Sequence, residues 1–268
     1  MIETVGYLLS FLTGMLMGLI GAGGGILSST ILVYIFGISP VLAASYTLLN
    51  VSIISLTGSV NYYKKLQIDF RSGLFFAIPA LILVFCMRNW IMPAVPEHIF
   101  QFQHLIFTKN LMILLIFGIL MILISYNMVF GKINNRQSRQ KLANPLKLFF
   151  LGCLVAILTG IAGIGGGFII VPALVYFAGL DIKTAVGTSL FIIFVNTTIG
   201  FLSDISRGVQ FDWAFITKFI GITLAGMFLS SLVSGYFNSV QLKKIFGVSI
   251  FFLGCWIIIK ETIFSSSH

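Results

Sequence analysis

The chain has 268 residues, 58% of them hydrophobic and only 9% charged, with a mean hydropathy of +1.08. That composition lies outside the range of soluble domains and identifies an integral membrane protein, while the unbroken apolar runs, which do not alternate, argue against a β-barrel. The formal net charge of +9 would suggest nucleic acid in a soluble chain. Here Lys and Arg gather in loops between apolar runs, so they report topology and no nucleic-acid partner is expected.

In chain order, MIETVGYLLS carries no basic residue ahead of its apolar stretch, so it is read as the first membrane helix, about 4–20, and not as a signal peptide. GLIGAGGGIL, residues 18–27, then interrupts the run, and the next piece, 26–36, is only eleven residues long. At about 1.5 Å per residue it spans roughly 16 Å, half a bilayer. Helices are expected over 40–63, 71–91 and 109–130, and then over 146–162, 168–178, 183–203, 213–234 and 241–260. Lys64, Lys65 and Arg71 mark one cytoplasmic loop, and Lys132, Arg136, Arg139, Lys141 and Lys147 mark another.

Sliding the sequence by 142 positions lays GLIGAGGGILSSTILVYIFGI (18–38) over GIAGIGGGFIIVPALVYFAGL (160–180). One residue of insertion later, LQIDF (66–70) lies over VQFDW (209–213). The chain therefore reads as two repeats, 1–130 and 146–268, joined by a basic cytoplasmic linker at 131–145. The Lys and Arg distribution slightly favours inverted repeats with both termini outside.

The paired glycine clusters carry the chemistry. Backbone without helical hydrogen bonds survives at membrane depth only where protein buries it or a wet cavity meets it. The free N–H groups opening the short helices after Gly25 and Gly167 carry the positive end of the dipole, and glycine lets a ligand approach the backbone, an arrangement suited to anions. Matching broken helices in duplicated halves point to the midplane site of a secondary transporter. The competing reading is close helix packing, which Gly14-x-x-x-Gly18-x-x-Gly21 also suits. Neither run supplies the Lys-Ser/Thr of a P-loop or follows a strand, so a nucleotide site is not expected.

GIGGGFIIVPALVYFAGLDIKTAVGTSLFIIFVNTTIGFLSDISRGVQFDW, residues 163–213, closely resembles the second repeat of the TauE/SafE sulfite exporter family, and the resemblance covers essentially the whole chain. It rests on Gly165 to Gly167, Val171-Pro172, Val186-Gly187-Thr188-Ser189 and Gln210-Phe211-Asp212-Trp213. In the first half, Ser29-Thr30 and Ala44-Ser45-Tyr46-Thr47 stand where the second has Val-Pro and Val-Gly-Thr-Ser. The resemblance implies transport of sulfite, organosulfonates or related small anions across the cell membrane, with no cofactor.

Ser39 with Pro40, and Asp181, are expected to cap the long helices that follow. Along those helices Ser45, Thr47, Asn50 and Ser52, then Thr188, Ser189, Asn196 and Thr197, place donors in apolar surroundings, where each would replace part of an anion's hydration without adding a fixed charge. The candidate substrate-binding set is Gly23, Gly24, Gly25, Thr47 and Asn50 with Gly165, Gly166, Gly167, Thr188, Ser189 and Asn196. Against each hydroxyl stands the bond it can make to its own i−4 carbonyl.

Arg88 and Lys218 are expected to snorkel, Asp204, Arg207 and Asp212 to cap and turn beside the membrane, and Cys86, Cys153 and Cys255 to be buried apolar residues. No catalytic or metal-ligating set is expected: an intramembrane enzyme would have only His98 and His104 to draw on. A non-transporting partner subunit, or carriage of a carboxylate, stays open, as does assembly into homo-oligomers. The fold class is thus an all-α polytopic membrane protein of two repeats of about five helical segments each, the short pieces ending near the midplane.

Overall fold

The computed structural model describes residues 2–20, 24–86, 98–102, 105–108, single positions between 119 and 130, and residues 145–162, 167–176, 178–233 and 238–264. The helices are α1 (Ile2–Ile20), α2 (Gly24–Tyr34), α3 (Pro40–Lys64), α4 (Phe70–Cys86), α5 (Pro145–Ala162), α6 (Gly167–Tyr176), α7 (Ile182–Ser206), α8 (Trp213–Val233) and α9 (Ser239–Phe264). Their bounds follow the expected ones to within about five residues, and the helix expected over 109–130 lies largely outside the described residues. Leu42–Lys64, Ile182–Ser206 and Trp213–Ser230 are long and apolar enough to cross a bilayer.

One element departs from the all-helical expectation. The loop around His98 forms a hairpin of β1 (His98–Phe102) and β2 (Leu105–Thr108), antiparallel and bulged between His98 and Phe100. Ile99, Phe100, Phe102 and Ile106 are β-branched or aromatic residues that favour a pleated surface, a preference that outweighs the loop reading. His104 and most of the basic linker lie outside the described residues.

The two longest span helices, α3 and α7, lie antiparallel. The Ser45 hydroxyl donates to Asp204 Oδ2 at 2.6 Å, Ser52 Oγ meets Thr198 Oγ1 at 2.7 Å, and Gly187 sits under Tyr62, so the order along one helix reverses along the other. Around this pair α1 packs on α8 and α5 on α4, and each short helix lies on the long helix that follows it, α2 on α3 and α6 on α7. The apolar core gathers where they meet, at Val51, Ile54, Leu174, Leu190 and Ile193, with a second cluster at Leu32, Tyr46 and Phe219.

Several glycines serve packing. A Cβ on Gly14 would land on the Thr223 carbonyl oxygen, one on Gly18 on Ser230 Oγ, and one on Gly226 on the Phe11 carbonyl oxygen, so α1 and α8 approach backbone to backbone. Gly37 and Gly179, 142 positions apart, turn the chain after α2 and α6 with φ of +67° and +69°. After α3 and α7 the same left-handed turn falls on Leu66, φ +54°, and Gly208, φ +78°. Asp181 caps α7 by accepting from the Lys183 N–H at 3.2 Å. Ser39 does not cap α3 with its side chain: Pro40 presets the first turn, which is closed by the Ala43 N–H on the Ser39 carbonyl at 2.8 Å.

Helix packing and turn geometry set the expected effects of three substitutions. Gly226→Ala drives a methyl into a backbone carbonyl and should destabilise by about 1–3 kcal/mol, seen as a lower midpoint of thermal unfolding in detergent; Gly221→Ala, which enters open space on the same helix, should be neutral or stabilising by up to about 1 kcal/mol. Leu66→Gly relieves an exposed left-handed leucine and should raise stability by roughly 1 kcal/mol.

Candidate functional site

The short helices α2 and α6 begin at Gly24 and Gly167, and their eleven and ten residues cover only half a bilayer. Of the predicted glycines, Gly23, Gly165 and Gly166 lie outside the described residues; Gly24, Gly25 and Gly167 form the first turns of the two helices. Gly24 is buried against α1, where a Cβ would overlap Met17 Sδ, so packing is part of its role.

Asn50 is fully buried on α3 and joins three helices. Its Nδ2 donates to Ser28 Oγ of α2 at 3.1 Å, and its Oδ1 accepts from Thr223 Oγ1 of α8 at 2.7 Å. The same Thr223 hydroxyl lies within bonding distance of the Phe219 and Ile220 carbonyls. The network ties the first short helix to a helix from the far half of the chain.

The second-half hydroxyls are used differently. Thr188 Oγ1 accepts from the Asp69 N–H at 3.0 Å, Ser189 donates to the Val186 carbonyl at 2.8 Å, and Thr197 donates to the Ile193 carbonyl at 2.8 Å. Tyr46, 142 positions before Thr188, does the same work in reverse by accepting from the Asp212 N–H at 2.7 Å. Each bond holds the turn that opens a helix of the other half, α4 or α8. Asp69 caps α4 through the N–H groups of Arg71 and Ser72, and Asp212 caps α8 through that of Phe215. Arg207 closes the end of α7, and Lys218 is exposed on α8; Arg88 lies outside the described residues.

Among the described residues, three buried polar atoms have no hydrogen-bond partner: Thr47 Oγ1, Ser55 Oγ and Asn196 Oδ1. A buried polar group left unpaired costs about 1–3 kcal/mol, so three such atoms on the packed helices α3 and α7 need a reason. Thr47 and Asn196 belong to the candidate set; Ser55 does not. Sequence reasoning also missed Ser28, Thr223 and Tyr46. Their one available signal was a hydroxyl in an apolar helix, the same signal that marked the others.

A cavity of about 650 Å³ opens between α1, α2 and α9, walled by residues such as Leu12, Leu27, Ile31 and Trp256. Its lining is predominantly apolar, with Thr13, Thr30 and Tyr34 as the hydroxyl-bearing residues and no charged one, and suits hydrocarbon better than an anion. Among the described residues no cluster of His, Cys, Asp and Glu could hold a metal, and Cys153 and Cys255 are free thiols. Cys86 ends α4.

Apolar spanning helices, two half-length helices started by glycine, and polar groups gathered on the long helices beside them define a multi-pass membrane protein of the transporter class. The chain belongs to the sulfite exporter TauE/SafE family, whose model matches residues 7–257. It is 28% identical over 256 residues to a probable membrane transporter protein of Xylella fastidiosa (strain 9a5c), covering 92% of this chain and 91% of that one. It is 26% identical over 281 residues to the probable membrane transporter protein YunE of Bacillus subtilis (strain 168), covering 96% and 97%. A probable membrane transporter protein of Methanocaldococcus jannaschii, MJ0441, matches at 38% over 107 residues, 38% of this chain and 40% of that one. No solved structure matches the chain. Membership places the chain among membrane transporter proteins.

The turn-holding bonds yield a test. Thr188→Val leaves the half-buried Asp69 N–H without its acceptor and should cost about 1 kcal/mol of stability, whereas Thr188→Ser keeps the acceptor and most of the stability; thermal unfolding of the two variants in one detergent decides it.

Proposed function

We propose that the protein is a secondary transporter of small anions, most directly sulfite, an organosulfonate or a related sulfur oxyanion, bound between the two glycine-started helices. The observation that carries this reading is the buried, unpartnered Thr47 hydroxyl on α3, a donor that an anion can use, together with the Asn196 amide on α7, whose unpartnered Oδ1 is an acceptor as placed and which offers an anion its Nδ2 once the amide turns about χ2. Together with the first N–H groups of α2 and α6 they offer polar partners in an apolar interior and no fixed positive charge. A bound anion would then be released readily, as transport requires. Asn50, Thr188 and Ser189 already hold partners in the protein and serve the site by positioning its walls. The family model's description and the names of the relatives agree with this class of cargo or with transport in general.

The same reading takes the chain as two inverted repeats. The antiparallel course of α3 and α7 supports it, as do the exchanged pairings of α1 with α8 and α5 with α4, and the matched bonds from Tyr46 and Thr188. The two halves would present their short helices to one cavity from opposite faces of the membrane.

Thermal stability of the purified protein against sulfite, thiosulfate, sulfate, sulfoacetate, taurine and carboxylates at constant ionic strength tests the site. A ligand at 100 times its Kd should stabilise the folded state by about 2.7 kcal/mol. Thr47→Val and Asn196→Leu should abolish that shift while leaving the empty protein equally or more stable, because each removes an unpaired polar group. Sulfite flux into proteoliposomes should follow the same order. No response to any sulfur oxyanion would overturn the substrate class; a response to carboxylates alone would reassign it, and a tightly co-purifying subunit with no anion response would favour the partner role.

A further inference from the structure

The two short helices are anchored by opposite chemistry. In the repeat alignment Ser28 pairs with Ile170, Asn50 with Ile192 and, after the one-residue insertion, Thr223 with Ala80. All six residues are buried. In the first half they form the chain of bonds from α8 through Asn50 to α2. In the second half, at the corresponding junction of α4, α7 and α6, the three side chains can form no hydrogen bond at all.

This difference has a mechanical meaning. Sliding or tilting α2 away from α3 separates Ser28 from Asn50, and in a low-dielectric interior the freed amide has nothing to replace its partner. Sliding α6 over α7 exchanges one apolar contact for another and strands no polar group. α6 is also weaker within itself. Pro172 sits inside it, where α2 has Thr30, removing one N–H from the helical ladder and crowding the carbonyl a turn before it. A ten-residue helix with one bond missing and an apolar seat is the easier of the two to displace.

We propose that the two half-helices are mechanically unequal: α2 is fixed to α3 and α8 as part of the frame, and α6 is the element that moves to open the site. Its role as a gate rests on the transport reading, whereas the difference in mobility does not. In this arrangement Asn50 is a positioning residue that holds α2 through Ser28 and need not touch the anion.

Hydrogen exchange followed by mass spectrometry, on the full chain in lipid nanodiscs without added anion, tests it. Amides of residues 167–176 should exchange roughly tenfold or more faster than those of 24–34, since opening α2 must also break the Asn50 bonds. Thr223→Val should raise exchange in α2 and leave α6 unchanged, and Thr223→Ser should restore the slow rate. Equal rates in the two helices of the unmodified protein, faster exchange in α2, or no effect of Thr223→Val on α2 would overturn the proposal. Should Thr223→Val fail to fold, the contrast within the unmodified protein still decides. Because no substrate enters the readout, its failure is distinct from failure of the transport reading.

Discussion

A peptide N–H or C=O left unpaired in hydrocarbon is too costly to tolerate, and this constraint organises the whole molecule. A helix of about half the bilayer's depth leaves its opening N–H groups near the midplane, out of reach of bulk water. The described helices α2 and α6, eleven and ten residues long, open at Gly24 and Gly167, and each packs against a longer helix. Each short helix lies on the long one that follows it, and those long helices, α3 and α7, lie on each other. The small residues of α1 and α8 let the outer helices close around them until backbones touch. In the proposed reading, a cavity between the two short helices follows from where backbone polarity can be hidden.

Within that frame, polar side chains divide into those that hold the protein together and those left over. Thr188 and Tyr46 secure turns of opposite halves, Asn50 secures a short helix, and Ser45 and Ser52 secure the crossing of α3 and α7. Others, such as Ser189 and Thr197, bond their own helix, and among the described residues the buried atoms Thr47 Oγ1, Ser55 Oγ and Asn196 Oδ1 have no partner. In the proposed function these groups are the ones left for the cargo and not used by the fold. The absence of Lys or Arg from this set fits a carrier that must let go as well as bind.

Much of this was legible in the sequence, because a membrane helix advertises itself by length and apolarity and a duplicated glycine cluster by self-similarity. The helix bounds, the half-length pieces and the pairing of Asp69 with Asp212 needed only the order of residues. The use of each hydroxyl was not legible, since it depends on what another helix brings opposite: Thr223 meets Asn50 across 173 positions, and Ser52 meets Thr198 across 146. Thr188 and Thr47 look alike in sequence, yet one accepts a backbone N–H and the other has no partner. Glycine was ambiguous for the same reason, Gly226 lying against a backbone carbonyl while Gly221 on the same helix faces open space. The hairpin at His98 was hidden by local β preference in a stretch expected to be loop.

The inverted arrangement of the halves is the claim on which the shared cavity depends, and it is open to direct test. Lys65 and Arg207 end α3 and α7 and are both exposed. In a chain whose Cys86, Cys153 and Cys255 are replaced, Lys65→Cys and Arg207→Cys would be labelled separately with a membrane-impermeant maleimide, in intact cells and in inside-out vesicles. Inverted halves place the two positions on opposite sides, so each should react in only one preparation, and not the same one. Labelling of both from the same side would contradict the inverted architecture and, with it, the single cavity between the two broken helices.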